Sequence, residues 1–400
     1  MANKCANQFI ATFLRVYFGN SDSRALFREW RQGNQTDIIK GIISHGLAGF
    51  FYHQLRAHPE WGLPVELRHG LKAAAQVIAL QNAVYEREGR KITTAFEEHS
   101  IPYLILKGFS LVDQLYEDSG IRPISDIDIY IYRSDYARVR EILVKAGYQT
   151  PATADYRGSL EDFLRISEAY FTEMHFVKSL GKININVDIH WGIDGLWEGS
   201  PLKALFPVEE YPWMQYQRRA RVGLWNFSVL SWEMQFLHIA SHFALHHQFQ
   251  GVKWLLDICL MLEKVGAELD WDFIWQTAGT ADNRKVIAVI LRMVEDETGL
   301  KAEGVPPWQF FWSGKALPGE YSFYRRRLLN QSSKKGQYLA YIMLPLKMRD
   351  KCRVLGYYLF NPEAVSHWRN EEFKLAWRWW QPFYLLYRAG EEFINQRRSG

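Results

Sequence analysis

The chain has 400 residues, 48% of them hydrophobic and 23% charged, with a net charge of +4, which is typical of a soluble globular protein with two or three domains. Its three cysteines, Cys5, Cys259 and Cys352, lie far apart and form no CxxC pair, which argues against a disulfide framework or a structural zinc site and favours a cytoplasmic protein. The sequence contains no signal peptide pattern and no apolar run long enough for a membrane span.

Residues 1–100 are predicted to form a helical lead-in. Apolar residues repeat at helical spacing over 36–57 and again over 66–98. The pattern then changes, because IPYLILKG (101–108) is typical of a short buried strand that ends on glycine. SDIDIYIYR (125–133) alternates strictly and predicts a second strand, and 134–148 predicts a helix that ends before a glycine.

Two further strands are predicted at 169–177 and 182–191, joined as a hairpin by KSLG. From residue 231 onward the pattern is helical again. The sequence therefore predicts an α+β fold with a small mixed sheet. Its expected parts are the lead-in (1–100), a core (101–230), a helical domain packed on that core (231–303) and a basic, aromatic helical tail (304–400).

The acidic residues of two predicted strands indicate a metal site. Alternate side chains of a strand share a face, so Asp126 and Asp128 point away from the isoleucines between and after them, with Cα atoms about 6–7 Å apart. Asp188 and His190 share the polar face of the strand at 182–191. A lone Asp-x-Asp is usually only a solvent-facing edge. Three carboxylates brought together would instead bind Mg²⁺ or Mn²⁺, which organise substrate phosphates.

These motifs resemble those of the DNA polymerase beta-like nucleotidyltransferase superfamily over residues 101–191. LILKGFSLVDQLY, GIRPISDIDIYI, LVKAGY and VDIHW are more closely similar to a bacterial group of uncharacterised nucleotidyltransferases, with a likeness in HIASH and WLLDI that extends towards residue 280. LKG followed by Arg and SDIDI is also similar to abortive-infection nucleotidyltransferase toxins.

The resemblance implies a role for each matching residue. Gly108 and Ser110 match the turn that holds the triphosphate of an NTP, although the intervening phenylalanine departs from the usual Gly-Ser or Gly-Gly. Asp126 and Asp128 match the metal-binding pair, and Asp188 matches the acid that activates the incoming hydroxyl. Two cations, Lys107 and Arg122, lie near these motifs in the sequence. Each is equally well a phosphate contact or a surface charge.

A histidine stripe follows the predicted core. His238, His242 and His246 are spaced for one face of a helix. Zinc catalysis is one interpretation, but the HxxxH pattern lacks the glutamate of a metalloprotease. The alternatives are packing against the core or lining of the nucleotide cleft by His238 and His242, with Asp257 orienting an imidazole. His190 is the stronger candidate for a phosphate contact.

The resemblance implies transfer of a nucleoside monophosphate from an NTP to a hydroxyl acceptor, with release of pyrophosphate. The acceptor is a small molecule, a tRNA end or a protein. A toxin-like effector that modifies RNA or protein and a non-catalytic nucleotide-binding module are the alternatives. Residues 321–400 hold 15 Lys/Arg against 6 Asp/Glu. This charge fits either contact with nucleic acid or a solvated helical face.

Overall fold

The computed structural model of the protein describes residues 2–112, 114–150, 172–181, 183–193, 196, 200–311, 318–329 and 337–360. Most of the basic tail predicted at 304–400, and the start of the strand predicted at 169–177, therefore lie outside the described residues. The helices of the described part are α1 (Ala2–Tyr17), α2 (Ser23–Gln32), α3 (Gln35–Ser44), α4 (Ala48–Ala57), α5 (Val65–Glu98), α6 (Lys107–Val112), α7 (Tyr136–Lys145), α8 (Pro201–Leu205), α9 (Trp232–Ser241), α10 (Val252–Val265), α11 (Trp271–Ala278), α12 (Ala281–Thr298), α13 (Pro318–Leu328), α14 (Gln337–Met343) and α15 (Met348–Phe360).

The N-terminal region is helical, as the sequence predicts. The helical pattern over 36–57 is divided into α3 and α4, because Gly46 adopts a left-handed φ of 69° between them. Phe13 of α1 stacks on Phe51 of α4 with ring centroids 3.6 Å apart. Helix α5 is about 50 Å long at 1.5 Å per residue. It runs from this bundle to the sheet, so its side chains reach both parts of the protein.

The central sheet has four strands, β1 (Tyr103–Ile105), β2 (Ile127–Ile131), β3 (Glu173–Leu180) and β4 (Ile183–His190), in the order β1-β2-β4-β3. Strands β1 and β2 are antiparallel, β2 and β4 are parallel, and β3 and β4 are antiparallel. The fold is thus α+β with a small mixed sheet, which confirms the predicted class. Ile129 and Ile189 are fully buried on one face, which leaves the opposite face to the polar residues.

A second hairpin was not predicted from the sequence. It consists of β5 (Gln217–Val222) and β6 (Trp225–Leu230), which turn at Gly223 with a φ of 55°. Trp225 packs so closely on α5 that a Cβ on Gly89 would lie 2.4 Å from its ring. This contact fixes the hairpin to the long helix.

The helices after the hairpin contact the segment that follows β1, where Gln235 of α9 lies within hydrogen-bond distance of the Ser110 hydroxyl. Helix α9 continues into a π-helical turn, His242–His246, before α10 begins. Among the described residues, no helix combines the length and the apolar character needed to cross a membrane.

Candidate metal and phosphate site

Two side chains of α5 hold the loop that leads into β2. The Asn82 amide donates to the Arg122 carbonyl at 2.7 Å, and its oxygen accepts from the Ile124 N–H at 3.2 Å. The Tyr85 hydroxyl donates to the Ser125 carbonyl at 2.6 Å. Because both residues are anchored in a long helix, they fix the position from which the first predicted aspartate projects.

The parallel pairing of β2 with β4 brings the predicted acids together. Asp128 lies directly opposite Asp188 in the register of the two strands. One ligand atom from each of Asp128, Asp188 and His190 lies within 4.8 Å of the others, which makes these residues a candidate metal-binding group. Asp126 stands just before β2 begins and is half-buried. The structure therefore places His190, rather than Asp126, in the tightest part of the cluster.

Two side chains, Lys107 and His190, already contact Asp128. The Lys107 ammonium lies 2.6 Å from Asp128 Oδ1, and Nε2 of His190 lies 2.9 Å from the same oxygen. Burial opposes the charge of Asp128, but Lys107 and His190 outweigh it and hold its pKa well below the usual range. Nδ1 of His190 faces Glu173 at 3.1 Å. Burial would lower the pKa of His190, but the charges of Glu173 and Asp128 outweigh burial and raise it.

Asp126 shows how strongly negative the cluster is. Burial and the charge of Asp128 raise the pKa of Asp126 to about 6. A carboxylate that is disfavoured by a neighbouring carboxylate is stabilised when a cation binds between the two. Carboxylate oxygens with one imidazole nitrogen suit a divalent ion such as Mn²⁺, and carboxylates alone suit Mg²⁺. The residues present therefore fit a divalent metal.

Glu173 and His175 join the site, although the sequence reasoning did not single them out. Both lie on β3, opposite His190 and Asp188 respectively. Nδ1 of His175 makes a short contact with Asp188 Oδ1. This hydrogen bond raises the pKa of His175. The available signal was the alternation in EMHFV. Met174 and Phe176 are buried, and the residues that alternate with them, Glu173 and His175, lie on the same face as the acids.

The glycine turn lies beside the cluster. Lys107 has a φ of 42°, and the backbone is kinked at Gly108, where φ is 4° and ψ is −92°. A Cβ on Gly108 would meet no heavy atom closer than 3.7 Å. The Ser110 hydroxyl is fully buried, donating to the Lys107 carbonyl at 2.6 Å and lying 3.0 Å from Gln235 Oε1. The Ser110 hydroxyl therefore stabilises the glycine turn.

Arg122 belongs to a buried ion pair. Its Nε and Nη2 each donate to one oxygen of Asp257 at 2.8 Å, and the Tyr116 hydroxyl donates to the same carboxylate at 2.6 Å. The alternative that Lys107 and Arg122 are surface charges is therefore wrong, because they are 9% and 3% exposed. The expectation that Asp257 orients an imidazole is also wrong.

The histidine stripe is mostly packed inside the protein. His238 and His242 are 1% and 5% exposed, whereas His246 is exposed. Burial lowers the pKa of His238 to about 3, so its ring is neutral. His242 Nε2 lies 2.9 Å from Nε2 of His247. Within the described ranges, the stripe forms no group of three clustered ligands, which favours packing over a zinc site.

Comparisons with known proteins agree with this geometry. A family model described as "uncharacterised nucleotidyltransferase" matches residues 32–297, about two thirds of the chain. The match begins in the helical N-terminal region and ends in α12, so it includes the whole sheet and the candidate site. Among curated proteins the chain has no match.

Proposed function

The chain belongs to the uncharacterised nucleotidyltransferase family and is therefore a nucleotidyltransferase; on that premise we propose that it transfers a nucleoside monophosphate from an NTP to a hydroxyl acceptor and releases pyrophosphate. The observation that carries this proposal is the in-register pairing of Asp128 with Asp188, with Asp126 two residues before the first. Charge stabilisation and positioning are sufficient for this chemistry, and no covalent enzyme intermediate is required.

Asp126, Asp128 and Asp188, with His190 beside them, are the residues that would hold Mg²⁺ or Mn²⁺. When bound, the metal neutralises phosphate charge and lowers the pKa of a coordinated hydroxyl. His190 and Glu173 orient the Asp128 carboxylate through the 2.9 and 3.1 Å contacts. Lys107, which contacts Asp128 at 2.6 Å, lies next to the glycine turn and is available to a phosphate oxygen once Asp128 binds another cation.

The acceptor hydroxyl is expected next to Asp188. In the reaction, a bond forms between the acceptor oxygen and the α-phosphorus, while the bond from that phosphorus to the oxygen bridging to the β-phosphate breaks. The acceptor proton passes to Asp188, and pyrophosphate leaves with the bridging electrons. His175 holds Asp188 in place through its Nδ1 contact. Gly108 has no side chain, which favours close approach of a phosphate to the backbone, and Ser110 keeps the turn in shape.

The test is transfer of label from each α-labelled NTP, with Mg²⁺ or Mn²⁺, to the components of a cell extract. We expect one NTP to give a labelled product and Asp126→Asn to abolish labelling. Asp272→Asn is the matched control, since Asp272 is exposed on α11, away from the sheet. The Asn variant at 126 should fold at least as stably as the wild type in a chelator, because it removes one of two like charges. An unchanged rate in that variant would refute the proposed function.

The identity of the labelled product separates the acceptor classes. A labelled small molecule, tRNA or protein identifies the acceptor directly. Growth arrest on expression of the wild type, absent with Asp126→Asn, would identify a toxin-like effector. NTP binding that depends on metal but never gives labelled product would instead favour the non-catalytic module.

A further inference from the structure

Lys253 is a cation close to the acidic cluster that has no carboxylate partner in the described part of the chain. It is half-buried in the first turn of α10, and its ammonium lies 4.2 Å from the centroid of the Trp254 ring. The other two cations near the cluster are already paired. Lys107 contacts Asp128, and Arg122 contacts Asp257. Lys253 is therefore the cation here with capacity for an added anion.

The contacts of Lys253 place it beside the loop that carries Asp126. At Gly46, the position a Cβ would occupy lies 3.5 Å from Cδ of Lys253 and 3.3 Å from Cγ of Pro123. The lysine stem and the Pro123 ring thus both border Gly46, and Pro123 stands three positions before Asp126. Arg122, the residue before that proline, has its guanidinium 5.4 Å from the same Trp254 ring.

The glycine turn is near this group of side chains as well. Nη1 of Arg122 lies 3.8 Å from where a Cβ on Gly108 would stand. Lys253 and the glycine turn are therefore joined through Trp254 and Arg122. The electrostatics agree with this placement. Burial and Arg122 lower the pKa of Lys253 to about 8, against the opposing effect of Asp257, Asp126 and Asp128, so the ammonium is mostly protonated at neutral pH.

The position is unfavourable for a lysine that serves only the fold. The first turn of a helix has a positive dipole end, Arg122 repels the ammonium, and burial removes water from it. The Trp254 ring compensates only in part. A methionine would cover the same ring without these costs. A ligand that brings its own negative charge would offset these costs.

Resting on the proposed function, we propose that the Lys253 ammonium binds the β- and γ-phosphates of the NTP, the part that leaves as pyrophosphate. Asp188, where the acceptor is expected, lies on β4, while Lys253 lies near the loop before β2. The two residues would then act at opposite ends of the reacting nucleotide. Lys253 binds the leaving group, and Asp188 serves the attacking hydroxyl.

The experiment compares Lys253→Met and Lys253→Arg with Lys264→Met. Lys264 is the control, because it is exposed in the last turn of the same helix. For Lys253→Met we expect the KM for the labelled NTP and the inhibition constant of pyrophosphate to rise about tenfold or more, with kcat changed much less and inhibition by the NMP unaltered. Lys253→Arg should retain most of the affinity.

Thermal stabilisation by the NTP gives a readout that needs no turnover. It should be lost in Lys253→Met and kept in Lys264→Met, with the unliganded melting temperature showing that both variants fold. Unchanged affinity for NTP and pyrophosphate in Lys253→Met would overturn this inference. Label transfer by the wild type would still support the proposed function in that case. Equal weakening of NTP and NMP binding would overturn it too, since the contact would then not be to the leaving phosphates. Normal transfer by Asp126→Asn would refute both.

Discussion

Breaking the buried ion pair between Arg122 and Asp257 should destabilise the protein strongly. The two residues are 3% and 1% exposed and share two hydrogen bonds of 2.8 Å. In Asp257→Ala the guanidinium loses both bonds. Of its contacts with the described residues it keeps a 3.4 Å hydrogen bond to the Pro123 carbonyl and the contact with the Trp254 ring, and the Tyr116 hydroxyl loses its acceptor. The uncompensated buried charge is the main cost.

The expected loss is about 3–5 kcal/mol of unfolding free energy, the usual cost of removing one partner from such a pair. Tyr116→Phe removes one hydrogen bond and should cost only about 0.5–1.5 kcal/mol. Asp272→Ala, an exposed carboxylate, should cost less than about 1 kcal/mol. Urea unfolding followed by tryptophan fluorescence measures the series. Hydrogen exchange of the backbone at 119–126 tests whether the loop before β2 opens first.

Two results would show that this reasoning is wrong. One is an Asp257→Ala variant within about 1 kcal/mol of the wild type, which would mean that Arg122 finds water or another acceptor. The other is unchanged hydrogen-exchange protection of the loop. A double variant, Arg122→Met with Asp257→Leu, removes both charges and should recover much of the lost stability, since only the unpaired charge is costly.

Four further outcomes are expected. Mg²⁺ or Mn²⁺ at a hundredfold excess over its Kd should stabilise the wild type by about 2.7 kcal/mol, reversibly with EDTA, and should do so much less for Asp188→Asn; equal shifts in the two would exclude Asp188 as a ligand. Burial lowers the pKa of His45 to about 4. His45 in the unfolded chain therefore binds a proton near pH 6.5, whereas His45 in the folded protein stays neutral until about pH 4. The free energy of unfolding should fall by up to about 3 kcal/mol as the pH drops from 6.5 towards 4. Other buried histidines such as His238 also contribute to a loss over this range, so His45→Gln should lose less stability than the wild type, by up to about 3 kcal/mol. An equal loss in the two proteins would contradict this prediction. Gly89→Ala should cost about 1–3 kcal/mol, because its Cβ would lie 2.4 Å from the Trp225 ring. Gly356→Ala in α15, where a Cβ meets no described atom within 4 Å, should stabilise the protein by about 0.5–1 kcal/mol. The melting temperature should therefore fall in Gly89→Ala and rise in Gly356→Ala, and the opposite order would contradict both predictions.

The sequence predicts the sheet face and the three aspartates because both follow from a local rule. Alternation fixes which side chains share a face, and the isoleucines show which face is buried. The β5–β6 hairpin was not predicted, although glycine at the first position of its two-residue turn, Gly223–Leu224, is compatible with a tight hairpin turn. Its alternating Trp225 and Phe227 were a usable signal.

Register explains why the histidine partner of Asp188 was not foreseen. A four-residue connection KSLG would pair Val177 with residue 182 and set His175 opposite Asn184. The strand instead continues to Leu180, so the register moves by four residues and His175 meets Asp188. An even shift keeps every side chain on its predicted face. The face of the sheet is thus predictable from the sequence, while the neighbour of a given carboxylate depends on the length of the turn.

The roles of the three cations depend on residues that are far from them in the sequence. Lys107, Arg122 and Lys253 carry the same charge, and nothing in their local sequence separates them. Their differences come from the residues that the fold places beside each of them. In the part of the chain that the structure describes, Lys107 contacts Asp128, Arg122 contacts Asp257 of α10, and Lys253 lies over the Trp254 ring without a carboxylate. Because a buried charge requires a partner, the cation for which the described residues supply no carboxylate is the one that we propose to bind the nucleotide. That distinction becomes visible only once each carboxylate has been assigned to its neighbour.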